Sequence, residues 1–203
     1  MLEAIQVGID VLNAQADQGI LLVATGEMGI GNTTAAAALC AGLFGGTAEL
    51  WTGPGTGVAG PALEGKRKAV TEAVALHRPA ARDPFDMLCR LGGLELAAIT
   101  GAVMAARLGR VPVVLDGFAS TAAAAVLFAA DRHALDHCVV AHRSAEPGHR
   151  CLLEQIGQQP LFDLGMRLGE ASGATLAFGM LKAAVACHNG MATFVEAGVS
   201  GPG

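Results

Sequence analysis

The chain has 203 residues, about one domain by length; 52 % are hydrophobic, 15 % charged and 4 % aromatic, with no Tyr and one Trp, Trp51. This apolar content excludes intrinsic disorder and supplies one sizeable core, since a domain of this length buries roughly 70 % of its unfolded surface. A formal net charge of −5 excludes a general nucleic-acid binder, which carries a basic patch or a high pI.

The predicted elements follow in chain order. The N-terminal stretch MLEAIQVGIDVLNAQADQG forms an amphipathic helix with Leu2, Ile5, Ile9 and Leu12 on one face. Glu3 and Asp10 stand where a signal peptide has a basic segment and then an apolar run. Gly19–Thr25 (GILLVAT) is a buried strand and Thr33–Leu43 a helix. A Gly/Pro loop, Gly45–Gly60, contains TGPGTG; Pro61–Leu76 is a helix with Pro61 in its first turn. Leu94–Leu108 is a helix ended by Gly109, Val111–Leu115 (VPVVL) a strand, and Thr121–Ala130 a helix. Cys138–Ala141 is a short strand, and Ala174–His188 a long apolar helix stopped by Asn189-Gly190.

Strands alternating with helices of this length predict βαβ units. Continuous Val/Leu strands fit a sheet covered on both faces. The expected fold class is therefore α/β: a doubly wound, mostly parallel sheet with helices on both faces, Rossmann-like and three-layered, in a single domain over residues 1–203. The uncharged stretch between Glu27 and Glu49 is broken by Gly29, Gly31, Asn32, Thr33, Thr34, Gly45 and Gly46 and does not read as a membrane span. A soluble, cytoplasmic protein is expected. The odd set Cys40, Cys89, Cys138, Cys151 and Cys187, with no C-x-x-C, predicts buried free thiols rather than disulfides or a zinc site.

In such sheets ligands bind beyond the carboxyl ends of the strands. The loops after Thr25, Leu115 and Ala141 thus converge on one rim. The first, Gly26-Glu27-Met28-Gly29-Ile30-Gly31-Asn32-Thr33-Thr34, joins a strand to a helix. Glycines let the backbone approach an anion, and the helix N-terminus offers free N–H groups. This reads as a phosphate site; an ordinary glycine turn with a Thr cap is the alternative. It lacks G-K-[ST], so it is not a Walker loop, and Thr34 occupies the third glycine of G-x-G-x-x-G. Glu49 follows, so a dinucleotide-dependent enzyme stays open as a weaker reading. Glu27 handles a proton, bonds a sugar hydroxyl, or is a solvated loop acid.

The second loop, Asp116-Gly117-Phe118-Ala119-Ser120-Thr121, resembles a phosphoribosyl-diphosphate loop only in part, lacking the second adjacent acid; Ser120 or Thr121 alternatively caps the next helix. The third, from Ala141 to His149, gathers hydroxyl, guanidinium and imidazole groups able to hold phosphate or ribose. His142 and His149 do not fit a standard metal spacing. Lys66 meets a phosphate as a point charge or is a surface lysine beside Arg67 and Lys68. Glu170, in a Gly/Ala/Leu-rich setting before the last helix, is a general base raised in pKa by burial or a first-turn acid complementing the helix dipole. No G-x-S-x-G occurs, which leaves serine-hydrolase chemistry without support.

Together GEMGIGNTTAAAAL, TGPGTG, GGLELAAITGAVMAA, VPVVLDGFASTAAA, AHRSAEPGH and LGMRLGEASGATLA, in this order, resemble the nicotinate-nucleotide–dimethylbenzimidazole phosphoribosyltransferase family over nearly the whole chain. The resemblance implies transfer of phosphoribose from nicotinate mononucleotide to dimethylbenzimidazole with inversion at the anomeric carbon, in cobalamin assembly. It implies neither metal nor cofactor, no nucleic-acid or membrane partner, and a homodimer. Glu170 then matches the catalytic base and Glu27 the acid near the reacting centre. Gly29, Ile30, Gly31, Asn32, Thr33 and Gly55 line the nucleotide site, Lys66 and Ser144 contact phosphate, and Met28 and Leu168 pack the aromatic base. Family members are longer, and the expected missing part, which helps enclose the benzimidazole, precedes Met1. Ala171 stands where Gly is usual. A catalytically incomplete nucleotide-binding module is the alternative.

Overall fold

The computed structural model describes residues 1–55 and 57–200. The first helix, α1 (Leu2–Ala16), is followed by β1 (Val23–Thr25), α2 (Asn32–Phe44), α3 (Ala48–Trp51) and α4 (Pro61–His77). A 3-10 turn (Arg78–Ala80) leads to α5 (Pro84–Leu91), α6 (Leu94–Gly109) and β2 (Val113–Leu115). Then come α7 (Phe118–Ala130), β3 (Cys138–His142), α8 (Pro147–Ile156), β4 (Pro160–Phe162) and α9 (Ser172–Gly190).

The four strands form one parallel sheet in the order β1-β2-β3-β4. Side chains alternate across it, as the strand period of two requires. Val113, Leu115 and Val140 join the large core under the first eight helices. Val114 and Ala141 point the other way, onto Ala174 and Ala177 of α9. Helices thus cover both faces of a parallel sheet, as expected of an α/β fold. Among the described strands the order has no reversal, and the second face is covered by α9 rather than by a crossover helix.

With few aromatics, the helices pack close through small residues. A Cβ on Gly8 of α1 would lie 1.8 Å from the Ala98 carbonyl oxygen, and one on Gly101 of α6 would lie 2.1 Å from that of Ile5. Ile5 and Leu12 are buried in this contact, whereas Leu2, expected on the same face, is exposed. No described helix is long and apolar enough to cross a membrane.

Several boundaries differ from expectation. The first two strands are shorter than Gly19–Thr25 and Val111–Leu115. Gly19 turns with φ +79°, and Pro112 has no N–H for a ladder, although its carbonyl accepts from Val23. The Gly/Pro loop contains α3, and Thr56 of TGPGTG lies outside the described residues. The sequence reading had no place for α5, α8 and β4. Their signals are short: Asp83 caps α5 by accepting from the Asp86 N–H, and Pro147 opens α8 in its first turn. The five cysteines are free, but Cys89 and Cys187 are exposed rather than buried.

Candidate active site

The strand register aligns Thr25 with Leu115, Leu115 with Val140, and His142 with Phe162. The loops leaving these ends therefore meet at one rim, around a cavity of about 580 Å³, within the size range of small-molecule sites.

One wall is the loop from β1 into α2. Gly31, the N-cap residue, has φ +95°, a conformation glycine adopts without steric cost. Asn32 and Thr33, which open α2, line the cavity, and the free N–H groups and dipole of a helix start favour an anion. Lys66, from α4, donates to Thr33 Oγ1 at 2.9 Å and to the Gly53 carbonyl at 2.8 Å, joining this wall to the TGPGTG loop. Burial lowers the Lys66 pKa, an effect that nearby Glu146 opposes. Glu146 is buried; its Oε1 accepts from the Gly55 N–H at 2.9 Å and lies 3.6 Å from Arg167.

The two acids meet where the loop from β1 into α2 touches the segment before α9. Glu27 accepts from Asn32 Nδ2, which fixes its carboxylate over the start of α2. The Glu170 N–H donates to the Glu27 carbonyl at 3.1 Å. A Cβ on Gly26 would lie 2.2 Å from the Ala171 nitrogen, so the two loops are in backbone contact. Gly169, Glu170 and Ala171 have φ of +83°, +57° and +58°, a left-handed run that costs non-glycine residues roughly 1–2 kcal/mol each. It is held from below: Asp116, buried at the end of β2, accepts from the Ala174 N–H at 2.9 Å and so caps α9 from another element.

Beneath Ser144 lies a buried relay. The Ser144 N–H donates to His149 Nδ1 at 2.9 Å, which leaves the ring proton on Nε2 to donate to Thr121 Oγ1 at 3.1 Å. Thr121 in turn donates to the Gly117 carbonyl at 2.8 Å. Burial, with His142 nearby, pushes the His149 pKa down to about 3.

All the residues expected at the site line this cavity: Glu27, Met28, Gly29, Ile30, Gly31, Asn32 and Thr33 on one side, and Gly55, Lys66, Ser144, Leu168 and Glu170 around the rest. One expectation about environment is corrected. Glu170 is exposed, not buried: the loop carrying it rests on Glu27 and Gly26 at the edge of the cavity. Met28, Ile30 and Leu168 are likewise exposed apolar side chains at the rim. Glu146 and Arg167 were not singled out from the sequence, although each stands within a motif that was. Among the described residues no three His, Cys, Asp or Glu side chains gather as a metal-binding group.

A family model described as "Phosphoribosyltransferase" matches residues 1–199. The nicotinate-nucleotide–dimethylbenzimidazole phosphoribosyltransferase of Brucella anthropi is 60 % identical over 183 residues, 90 % of this chain and 54 % of its own length. That of Sinorhizobium medicae is 59 % identical over 182 residues, again 90 % of this chain and 54 % of its own. The crystal structure of CobT from Thermus thermophilus superposes with a TM-score of 0.92 at 44 % identity, covering 98 % of this chain and 59 % of that one. The chain thus spans about half the length of the curated relatives it matches. With a family match along almost its whole length, the chain belongs to the phosphoribosyltransferase family represented by these relatives.

Proposed function

We propose that this chain carries the phosphoribosyl-transfer site of an enzyme that takes nicotinate mononucleotide and 5,6-dimethylbenzimidazole to α-ribazole 5′-phosphate and nicotinate, in assembly of the cobalamin nucleotide loop. The observation that carries this reading is the pairing of two acids through the Glu170 N–H and the Glu27 carbonyl, in one cavity with the glycine cradle and Lys66.

In this reading the start of α2, Lys66 and Ser144 hold the 5′-phosphate. Breaking the bond from C1′ to the nicotinate nitrogen sends its electron pair to a ring nitrogen that begins cationic, so nicotinate leaves neutral at that atom. Positive charge grows on the ribose as the bond lengthens. The carboxylates of Glu27, Asp116, Glu146 and Glu170 around the cavity stabilise it electrostatically. A benzimidazole nitrogen attacks C1′ from the opposite face, which inverts the anomeric centre, and Glu170 takes the proton from the ring's other nitrogen. Met28 and Leu168 pack the base. Glu146 and Arg167 tie the walls of the cradle together and share in shaping the phosphate site.

The residues act as one α/β unit, in the cytoplasm and as a homodimer. A second reading is favoured by one observation: Met28, Ile30 and Leu168 are uncovered at the rim. On this reading the chain binds the nucleotide but does not enclose the aromatic base, and so does not turn over. Calorimetry with nicotinate mononucleotide, paired with chromatography after adding dimethylbenzimidazole, separates the two. Product formation supports transfer; nucleotide binding without product supports the module; absence of both defeats the family of readings.

A further inference from the structure

His142 has no part in the steps above, yet it lines the same cavity. It ends β3 and is 1 % exposed. Neither Nδ1 nor Nε2 has a hydrogen-bond partner among the described residues. Buried polar groups are paired in the great majority of cases, and an exception calls for a cause such as a ligand. The ring is held in place: a Cβ on Gly173 would lie 2.1 Å from its Cδ2, and one on Gly117 would lie 3.1 Å from its Nε2. Asp116 Oδ1 is 3.7 Å from Nε2, too far for a direct hydrogen bond. An oxygen atom between them could bond both, at about 2.8 Å to each.

We infer that His142, with Asp116 beside it, binds a ribose hydroxyl of the nucleotide. This assignment rests on the phosphoribosyl reading above. A second anion is unsuited to the spot, because the buried Asp116 carboxylate would repel it. An aromatic ring would leave the imidazole, which like the carboxylate is already buried, unpaired. A hydroxyl matches both: it donates to Asp116 and accepts from the imidazole N–H. Together with phosphate held at the cradle, this contact fixes the sugar at two separate points and turns C1′ toward Glu170, as positioning for displacement requires. The 2′- and 3′-hydroxyls share the chemistry, and the experiment distinguishes them.

The test compares nicotinate mononucleotide with its 2′-deoxy and 3′-deoxy analogues by calorimetry, on the unaltered chain and on His142→Ala. The unaltered chain binds one of the deoxy analogues at least about tenfold more weakly than the parent, since both hydrogen bonds of that hydroxyl are lost. In His142→Ala that difference shrinks, because only the bond to Asp116 is left, while affinity for the discriminating analogue is unchanged. Equal losses for all three ligands would make His142 merely a shaping residue and overturn the assignment. Nitrogen-15 spectra of histidine-labelled, unaltered chain give an answer independent of the variant's folding. The His142 ring signal shifts with the parent nucleotide and not with the discriminating analogue; a signal unmoved by the parent overturns the assignment. Failure of the folded, unaltered chain to bind the parent at all defeats the phosphoribosyl reading and the assignment with it. Binding without discrimination defeats the assignment alone.

Discussion

The Glu170 N–H donates to the Glu27 carbonyl at 3.1 Å, so acids from the two ends of the chain are fixed relative to each other by backbone rather than by side-chain packing. Substitution at either carboxylate should therefore leave the loop geometry in place. In Glu170→Gln we expect turnover to fall by about a hundredfold or more, the usual loss when a general base is removed. Nucleotide affinity, measured by calorimetry, should change little. Near-normal turnover would remove Glu170 from the role.

Lys66 brings the ammonium of the cradle and is held by Thr33 and Gly53. Lys66→Met should weaken nicotinate mononucleotide binding by roughly ten- to a hundredfold, the range for a charge-assisted hydrogen bond. The riboside, which lacks phosphate, should bind both proteins alike. Parallel titrations read the contrast; equal losses for both ligands would place Lys66 away from the phosphate.

Ala171 holds φ +58° in a run where its two predecessors are also left-handed. Ala171→Gly relieves that strain, partly offset by the greater unfolded-state freedom of glycine. We expect a gain of about 1 kcal/mol, read as a rise in Tm of roughly 2–4 °C. The opposite change next door, Gly26→Ala, drives a Cβ to 2.2 Å from the Ala171 nitrogen. It should lower both Tm and activity by pushing the Glu170 loop off its seat.

His149 is neutral in the folded protein, its pKa near 3 against an ordinary 6.5. The unfolded chain takes up a proton as pH falls through the ordinary value. The stability this group contributes is thus complete above about pH 6.5 and declines as pH drops toward 3, by about 1.4 kcal/mol per unit. Urea unfolding at a series of pH values should give a flatter acid limb for His149→Gln than for the unaltered chain. Superimposable slopes would contradict the buried neutral ring.

Much of this site was legible from the sequence because its parts are local. GEMGIGNTT declares a glycine turn and a helix start in one stretch, and VPVVLDG declares a buried strand with an acid at its carboxyl end. The strand rule then brings these loops to one rim. Pairings between distant segments were not legible. Nothing near Glu146 indicates that it reaches Gly55, and nothing near Asp116 indicates that it caps α9. The exposure of Glu170 also escaped, because an apolar local context does not guarantee cover from elsewhere in the fold. Short elements such as α5, α8 and β4 carry too few residues for periodicity to register.

On the proposed function, a phosphate seat at the start of α2 shares one cavity with the acid pair, and the reacting carbon lies between that seat and Glu170. A crystal structure with nicotinate mononucleotide bound tests it most directly. The account predicts the phosphate within hydrogen-bond reach of the Gly31–Thr33 backbone and Lys66, the ribose over Asp116 and His142, and C1′ facing Glu170. A nucleotide seated elsewhere, or bound with its pyridine ring in the glycine cradle, would contradict it.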